Sequence, residues 1–262
     1  MNELISLAKT LLENKTIDVF IGYEKGTRKP RAAFVSNVED TGKLIFNENC
    51  VGNLAVYLTR KDLVEGKKIG MTASYYALKN ILLLFEENQL KEENLYIIAL
   101  SEKGEIKRLQ TVEEIKQHLK EIPLPAKTNE EELIRKINAM SLTERWEFWT
   151  EELSRCFKCY ACRSACPMCY CTKCIVEVNR PQWIQPWANT LSNMEWQINR
   201  VMHLAGRCSD CGACGAVCPV GIPIYLLTHG MAEWVKENFG ESTEKGNVLS
   251  TFKPDDKDNF IV

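Results

Sequence analysis

Eleven of the twelve cysteines in this chain lie between Cys156 and Cys218, and their spacing is regular. Residues 156–167 follow the pattern C-x2-C-x2-C-x3-C-P, and residues 208–219 repeat the whole pattern. Three thiolates at two-residue spacing can surround one face of an iron–sulfur cubane, while the turn ended by the proline directs the fourth cysteine away. In proteins with two such runs, the fourth cysteine of one run binds the cluster of the other. The spacing therefore predicts two [4Fe–4S] clusters.

This exchange of fourth cysteines divides eight thiols into two predicted ligand sets. The first cysteine group comprises Cys156, Cys159, Cys162 and Cys218. The second cysteine group comprises Cys166, Cys208, Cys211 and Cys214. Each group therefore draws ligands from both runs of the sequence.

Three other uses of clustered cysteines fit the sequence less well. Zinc suits pairs such as Cys208 and Cys211, but zinc ribbons contain paired C-x2-C units rather than triplets followed by C-x3-C-P. Cys162, Cys166 and Cys169 spell the C-x3-C-x2-C pattern of radical S-adenosylmethionine enzymes, yet fewer than 100 residues follow it, too few for a barrel of ~200 or more. A disulfide framework is typical of small secreted chains, and this chain carries no export signal.

Four cysteines remain after this assignment, which is the number that a third cubane or a zinc ion needs. They are Cys50, Cys169, Cys171 and Cys174. The last three lie within six residues, so we expect them to surround one metal centre, with Cys50 as the fourth ligand. In that case Cys50 would attach the N-terminal domain to the cluster domain. The alternative is that Cys50 is a buried apolar residue, and that the other three bind zinc or line the first cluster.

The overall composition is that of a globular protein of 262 residues with a formal net charge of −2. The 33 lysine and arginine residues nearly balance the 35 aspartate and glutamate residues, which argues against a nucleic-acid-binding protein. No apolar run approaches the ~20 residues that a membrane helix needs, and the amino terminus lacks a secretory signal. We therefore expect a cytoplasmic protein with reduced thiols and no membrane insertion.

The cysteine-rich region is more basic than the rest of the chain. Its six basic and three acidic residues are Lys158, Arg163, Lys173, Arg180, Arg200, Arg207, Glu177, Glu195 and Asp210. Since thiolate-ligated clusters are anionic, these cations favour the reduced state and raise the reduction potentials. His203 and His229 fall on predicted helices, where we expect packing or solvent contacts rather than metal ligation.

The predicted fold class is α+β, a small α/β N-terminal domain followed by a mainly helical, dicluster ferredoxin-like iron–sulfur domain. Strands are predicted at residues 18–22, 31–36, 43–46, 67–73 and 95–100, and a helix at residues 75–89. The last two strands and this helix form a βαβ unit. Because no glycine-rich phosphate loop follows either strand, we interpret residues 1–125 as a docking domain.

The iron–sulfur domain is predicted to span residues 126–240, after a linker at residues 122–126. One helix is expected to reach about residue 155, with a capping box at Ser141 and Glu144 and with Trp146 and Trp149 in the core.

Two more helices and a tail complete the predicted organisation. The second helix, at residues 193–205, should be capped by Ser192 and Glu195 and stopped by Gly206. The third is expected at residues 224–239, closed by Gly240. Residues 241–262 are polar and are interpreted as an extended C-terminal tail that straps onto a partner.

Residues 155–174 and 179–183 resemble the iron–sulfur beta-subunit family of formate dehydrogenases and deazaflavin-coenzyme-reducing hydrogenases. Residues 203–214 fit the same family and are similar to the small iron–sulfur subunit of heterodisulfide reductase. The resemblance covers mainly residues 141–230, and residues 46–58 resemble the family more weakly. The resemblance implies an electron-transfer subunit of an anaerobic cytoplasmic complex, whose partners are a flavoprotein and a catalytic dehydrogenase or hydrogenase.

Three functions follow from these observations. A non-catalytic electron relay is favoured, because cubanes with complete cysteine ligation leave no open iron for a substrate and the sequence shows no set of catalytic residues. The alternative is a flavin-containing reductase subunit that acts directly on a soluble electron-carrying coenzyme, as the resemblance implies for some relatives. A purely structural zinc module is the third interpretation.

Overall fold

The computed structural model describes residues 2–101, 105–125, 131–177, 181 and 184–240. Its N-terminal part is built on a mixed sheet of six strands. They are β1 (Val19–Glu24), β2 (Arg31–Val35), β3 (Leu44–Ile45), β4 (Ile69–Ala73), β5 (Leu95–Leu100) and β6 (Ile106–Leu109). The strand order is β2-β1-β4-β5-β6, with β3 also paired to β1. All five strands predicted from the sequence are confirmed.

Four helices accompany this sheet. They are α1 (Asn2–Glu13), α2 (Lys61–Val64), α3 (Tyr75–Glu86) and α4 (Val112–Glu121). The parallel pairing of β4 with β5 across α3 confirms the predicted βαβ unit. Helix α3 packs on one face of the sheet through Leu78, Ile81 and Leu82, and α1 covers the other face. The sheet is therefore covered by helices on both faces, as parallel strands require.

Sequence analysis missed four elements of the N-terminal part, namely helices α1, α2 and α4 and strand β6. Helix α2 is a single turn that buries none of its residues, so it has no apolar pattern. Helix α1 repeats buried residues at Leu4, Leu7 and Leu11, a helical spacing that was readable. Helix α4 begins with a complete capping box, in which Thr111 accepts from the backbone of Glu114 at 3.2 Å. Strand β6 exposes its two central residues, so its apolar pattern is weak.

The C-terminal part is helical. Its helices are α5 (Glu131–Ala139), α6 (Leu142–Ser154), α7 (Ala161–Ser164), α8 (Thr190–His203), α9 (Ala213–Ala216) and α10 (Tyr225–Phe239). A sheet followed by helices confirms the α+β class. Helix α10 and its closing Gly240, which has a φ of 88°, are also confirmed.

The single helix expected before residue 155 is wrong, since the structure has α5 and α6 in its place. The capping box lies at the start of α6, where Ser141 donates its backbone N–H to Glu144 at 2.8 Å and accepts the N–H of Glu144 at 3.3 Å. Such a cap satisfies the free N–H groups at the start of a new helix. The preceding helix therefore ends before Ser141. Trp149 is 7% exposed, as expected for the core, whereas Trp146 is 60% exposed and was wrongly placed there.

The predicted cap of the next helix is also wrong, because α8 begins earlier. Asn189 caps it by accepting the backbone N–H of Ser192 at 3.0 Å. Ser192 instead turns its hydroxyl to the carbonyl of Gln185 at 3.0 Å. Residues 178–180, 182–183 and 241–262 lie outside the described residues, so the predicted tail and most of the 179–183 motif have no structural counterpart here.

The two parts of the molecule meet along the outer face of α3. Leu83 and Leu84 of α3 pack against Met168 and Leu204 of the cysteine-rich part. The division into domains at residue 125 stays a prediction. In the portion of the chain that the structure describes, no helix is long and apolar enough to cross a membrane.

Candidate metal centre

The two cysteine runs have nearly the same backbone. In the first run Lys158 and Tyr160 have φ angles of 55° and 57°, and in the second run Asp210 and Gly212 have 61° and 71°. These left-handed residues curl each run around the sulfur of its first cysteine. The backbone N–H of Lys158 points at Cys156 Sγ, and that of Asp210 at Cys208 Sγ, both at 3.4 Å. The short helices α7 and α9 then bring the runs into contact.

The four cysteines of the first group line one open pocket. Burial raises the pKa of the Cys156 thiol, the backbone N–H of Lys158 opposes that shift, and the neighbouring thiolates raise the pKa further. The backbone N–H of Ile222 points at Cys218 Sγ at 3.4 Å. The structure thus places Cys218, from the second run, with three cysteines of the first.

The second cysteine group is brought together in the same way. Burial raises the pKa of Cys208 well above its usual range, and the thiolates of Cys166, Cys211 and Cys214 act in the same direction. Burial raises the pKa of Cys214 to about 11, and the thiolates of Cys166 and Cys211 act in the same direction. Cys166, from the first run, therefore lies with three cysteines of the second.

Both groups have the donor chemistry that an iron–sulfur cubane requires. Four thiolates, one for each iron, surround each site, and backbone N–H groups point at the sulfurs. Among the residues with described positions, no three histidine, cysteine, aspartate or glutamate side chains converge closely enough to hold a single ion. A cubane keeps its four ligands apart because each binds a different iron. The residues present therefore fit clusters.

Helix α8 directs a row of buried polar side chains at the first run. We call Asn193, Gln197 and Arg200 the polar stripe of α8; all three are at most 2% exposed. Asn193 Nδ2 donates to the carbonyls of Leu153 and Cys156 at 2.9 and 2.7 Å. Gln197 Nε2 approaches Cys162 Sγ at 3.9 Å, and Arg200 Nη2 donates to the Cys162 carbonyl at 3.3 Å.

Sequence analysis missed Asn193 and Gln197 as residues of this site. A signal was present, because Asn193, Gln197 and Arg200 are spaced by four and three residues and so share one helix face. Polar residues on the buried face of a helix need partners, and the nearest candidates in sequence were the cysteine runs. Lys158 is another buried polar residue, and its Nζ binds the Gln185 carbonyl and the Ser192 hydroxyl. Burial lowers its pKa.

The second run is fastened to α3 by two sets of polar contacts. Arg207 forms a bidentate ion pair with Glu87, at 2.6 and 2.8 Å, and the hydroxyl of Tyr170 donates to the same carboxylate at 2.5 Å. Asn80 Oδ1 accepts from Ser209 Oγ at 2.7 Å and from Asn53 Nδ2 at 2.8 Å.

These contacts also reach the metal centre itself. Burial raises the pKa of the Cys211 thiol, whereas the side chains of Asn53 and Ser209 beside it lower the pKa. The N-terminal domain therefore covers the second cysteine group and interacts with one of its sulfurs. The first group is more open, since Cys159 is exposed and Phe157 is 55% exposed.

The four remaining cysteines lie in different surroundings. The thiol of Cys166 lowers the pKa of Cys169, which packs beside Cys208 and so borders the second group. Cys171 is exposed and Cys174 half-buried. Cys50 packs against the core of the sheet, where burial raises its pKa. Their joint use in a third metal site stays a prediction.

The predicted roles of the two histidines can also be compared with their positions. His203 ends α8 and is exposed. His229 Nδ1 lies 2.9 Å from Asp210 Oδ2, so it contacts the second run through a carboxylate.

Comparison with known proteins identifies a domain and relatives to which this chain is similar. Residues 152–222 match the 4Fe-4S dicluster domain. The chain is similar to the F420-dependent formate dehydrogenase subunit beta of Methanocaldococcus jannaschii, with 31% identity over 112 residues, and to the F420-dependent formate dehydrogenase 1 subunit beta of Methanococcus maripaludis, with 31% identity over 94 residues. These alignments cover 41% and 36% of this chain.

The chain spans only 29% and 24% of the length of these two relatives. The resemblance to formate dehydrogenase beta subunits and the presence of a dicluster iron–sulfur domain are nevertheless confirmed. The domain match supports [4Fe–4S] clusters as cofactors and electron transfer as their chemistry.

Proposed function

We propose that this chain is an electron-transfer subunit that relays electrons between a flavoprotein and a catalytic subunit of a cytoplasmic redox complex. The observation that carries the proposal is that Cys218 of the second run lines one pocket with Cys156, Cys159 and Cys162 of the first run. The two runs are in contact through α7 and α9, and the same exchange assigns Cys166 to the second group. Two such sites side by side suit passage of electrons through the chain. The relatives named as formate dehydrogenase beta subunits support a dehydrogenase as the complex.

The proposed ligands are the eight cysteines of the two groups, with Cys166 and Cys218 exchanged. Bound clusters would supply one-electron acceptance and donation. The chain's own residues hold the thiolates in place, since the polar stripe of α8 and the backbone N–H groups of Lys158 and Asp210 fix both loops. Cys159 and Phe157 lie at the exposed side of the first group, so a partner approaches there. The N-terminal domain covers the second group.

The test is anaerobic purification of the chain, both alone and from its native source with any bound proteins. For the two clusters we expect at least about eight irons per chain, visible absorption that bleaches with dithionite, electron paramagnetic resonance signals of two reduced clusters, and co-purifying redox proteins. A colourless protein containing zinc would overturn the proposal. Stoichiometric flavin in an acid extract, together with reduction of a soluble deazaflavin by the isolated chain, would favour the reductase alternative.

A third metal site formed by Cys50, Cys169, Cys171 and Cys174 is the second part of the proposal. It is supported by the count of four spare thiols, three of which lie within six residues of the sequence. Iron and zinc are counted in the parent and in Cys50→Ser. About twelve irons that fall towards eight would support a third cubane on the four-thiolate rule. About eight irons and no zinc in the parent would exclude the site.

A further inference from the structure

Arg200 is a buried cation that has no carboxylate partner among the residues that the structure describes. Its side chain is 2% exposed, and Nη2 donates to the Cys162 carbonyl at 3.3 Å. In the part of the chain with described positions, Nε and Nη1 have no hydrogen-bond partner, and no aspartate or glutamate pairs with the guanidinium. Burying an unpaired charge costs several kcal/mol, so this arginine needs a counter-charge from another source.

The groups that face Arg200 are sulfurs, and they come from both cysteine groups. Cys162 belongs to the first group, Cys166 and Cys214 belong to the second, and Cys169 borders the second. Cys162 and Cys214 lie in one buried cluster with Met194 of α8, and Arg200 on the same helix donates to the Cys162 carbonyl. Burial lowers the pKa of Arg200, whereas the charges of these four cysteines raise it. The same guanidinium lowers the pKa of Cys214. One fixed positive charge therefore lies within electrostatic reach of both ligand sets.

We propose that Arg200 is the shared counter-charge of the two clusters, and that it raises both reduction potentials together. The proposal rests on the cluster ligation proposed above. Each one-electron reduction adds a negative charge to a site, and Arg200 stabilises that added charge at either site because it lies beside ligands of both groups. Its two unpartnered nitrogens are the donors available to the sulfurs when the clusters are bound. Arg200 is thus a positioning residue that sets potentials through the ligands.

The test is a redox titration of both clusters by electron paramagnetic resonance in three variants. In Arg200→Gln, which removes the charge, we expect both midpoint potentials to become more negative. In Arg200→Lys, which keeps the charge, we expect both to stay close to the parent values. Lys158→Gln is the matched control, since Lys158 is also a buried cation but interacts only with Cys156 among the cluster ligands. In this control we expect the first cluster to shift more than the second.

Every outcome of this experiment decides the proposal. Iron content and spectra of the parent first establish whether the clusters exist, which separates failure of the function from failure of this inference. A shift of one cluster only, or of neither, in Arg200→Gln would overturn the shared role. Equal shifts in Arg200→Lys and Arg200→Gln would also overturn it. If Arg200→Gln fails to load clusters while Arg200→Lys loads both, the charge is required, as proposed; failure of both variants would assign Arg200 a purely structural role.

Discussion

The two cysteine runs share one backbone but lie in different surroundings. Where the first run has Tyr160 and Arg163, the second has Gly212 and Gly215. A Cβ atom at Gly215 would lie 2.3 Å from Cδ1 of Tyr225 on α10, so only glycine fits there. The first run instead places Arg163 at its surface, paired with Glu177 at 2.8 Å. The motif fixes the loop that surrounds a cluster, and the neighbouring elements decide how deeply that loop is covered.

This contrast separates an open site from a covered one. The first group faces solvent on one side, while the second is enclosed by α3, α8 and α10. If the relay function is correct, the open site exchanges electrons with a partner, and the covered site is protected from water and oxygen. Five variants test whether this difference is real.

Cys218→Ser should have the largest effect, because it removes a proposed ligand of the first cluster although it lies in the second run. We expect the loss of about four irons per chain, with the same lost signal as in Cys156→Ser. Adding Cys156→Ser should cause no further loss, whereas adding Cys208→Ser should remove the second cluster. Val217→Ala, at an exposed neighbour, serves as the control. Matching losses in Cys218→Ser and Cys208→Ser would show that each run holds its own cluster.

Glu87→Gln should loosen the cover over the second group. The carboxylate is 9% exposed and pairs with an arginine side chain that is 22% exposed, so we expect a loss of about 3 kcal/mol of stability. Thermal unfolding under anaerobic conditions measures it, and a chelator should then remove the second cluster faster than the first. Glu121→Gln is the control: Glu121 and its partner Lys107 are both about half exposed, so this variant should lower the melting temperature less. Faster loss of the first cluster would contradict the assignment of the cover.

Asn193→Ala should weaken the first group instead. It leaves the carbonyls of Leu153 and Cys156 without a donor, and an unsatisfied buried acceptor costs about 2 kcal/mol. The melting temperature and the rate of iron release from the first cluster report this loss. Asn199→Ala on the same helix is the control. It removes only a bond to the Glu195 carbonyl within α8, so it should change neither the melting temperature nor the rate of iron release. If both alanine variants behave alike, the polar stripe has no special role at the cysteines.

Gly212→Ala and Tyr160→Gly should have the smallest effects on stability, and the two variants should differ from each other. Alanine at the left-handed position 212 costs about 1 kcal/mol. Glycine at position 160 relieves a similar strain but loses the edge-to-face contact of Tyr160 with Trp196, whose ring centroids lie 5.2 Å apart, and such a contact contributes about 1 kcal/mol. For Tyr160→Gly, the net change in the free energy of unfolding should therefore be close to zero. Thermal unfolding of both variants checks the pair, and a large loss in Tyr160→Gly would mean that the ring contact dominates.

The parts of the molecule that were predictable from sequence are those with local causes. Strand β4, helix α3 and strand β5 follow from apolar patterns, and the cysteine spacing defines candidate ligands without any tertiary information. The errors arise where distant residues compete for a side chain. Ser192 has the sequence context of a helix cap, but the buried Lys158 and the Gln185 carbonyl engage its hydroxyl. Trp146 lies three residues before the buried Trp149 on α6, yet the helix directs Trp146 to solvent.

The contact of Leu83 and Leu84 with Met168 and Leu204 has a consequence for maturation in the cell. Met168 and Leu204 flank Cys166 and Cys208, so their positions depend on the loops that the second metal site organises. Before that site is filled, we expect the loops to remain loose and the two leucines of α3 to lack their cover. An immature chain would then present an apolar surface that chaperones and proteases recognise, and cofactor insertion would hide it. Delivery of the metal would thereby act as the quality-control step that releases the finished subunit for assembly.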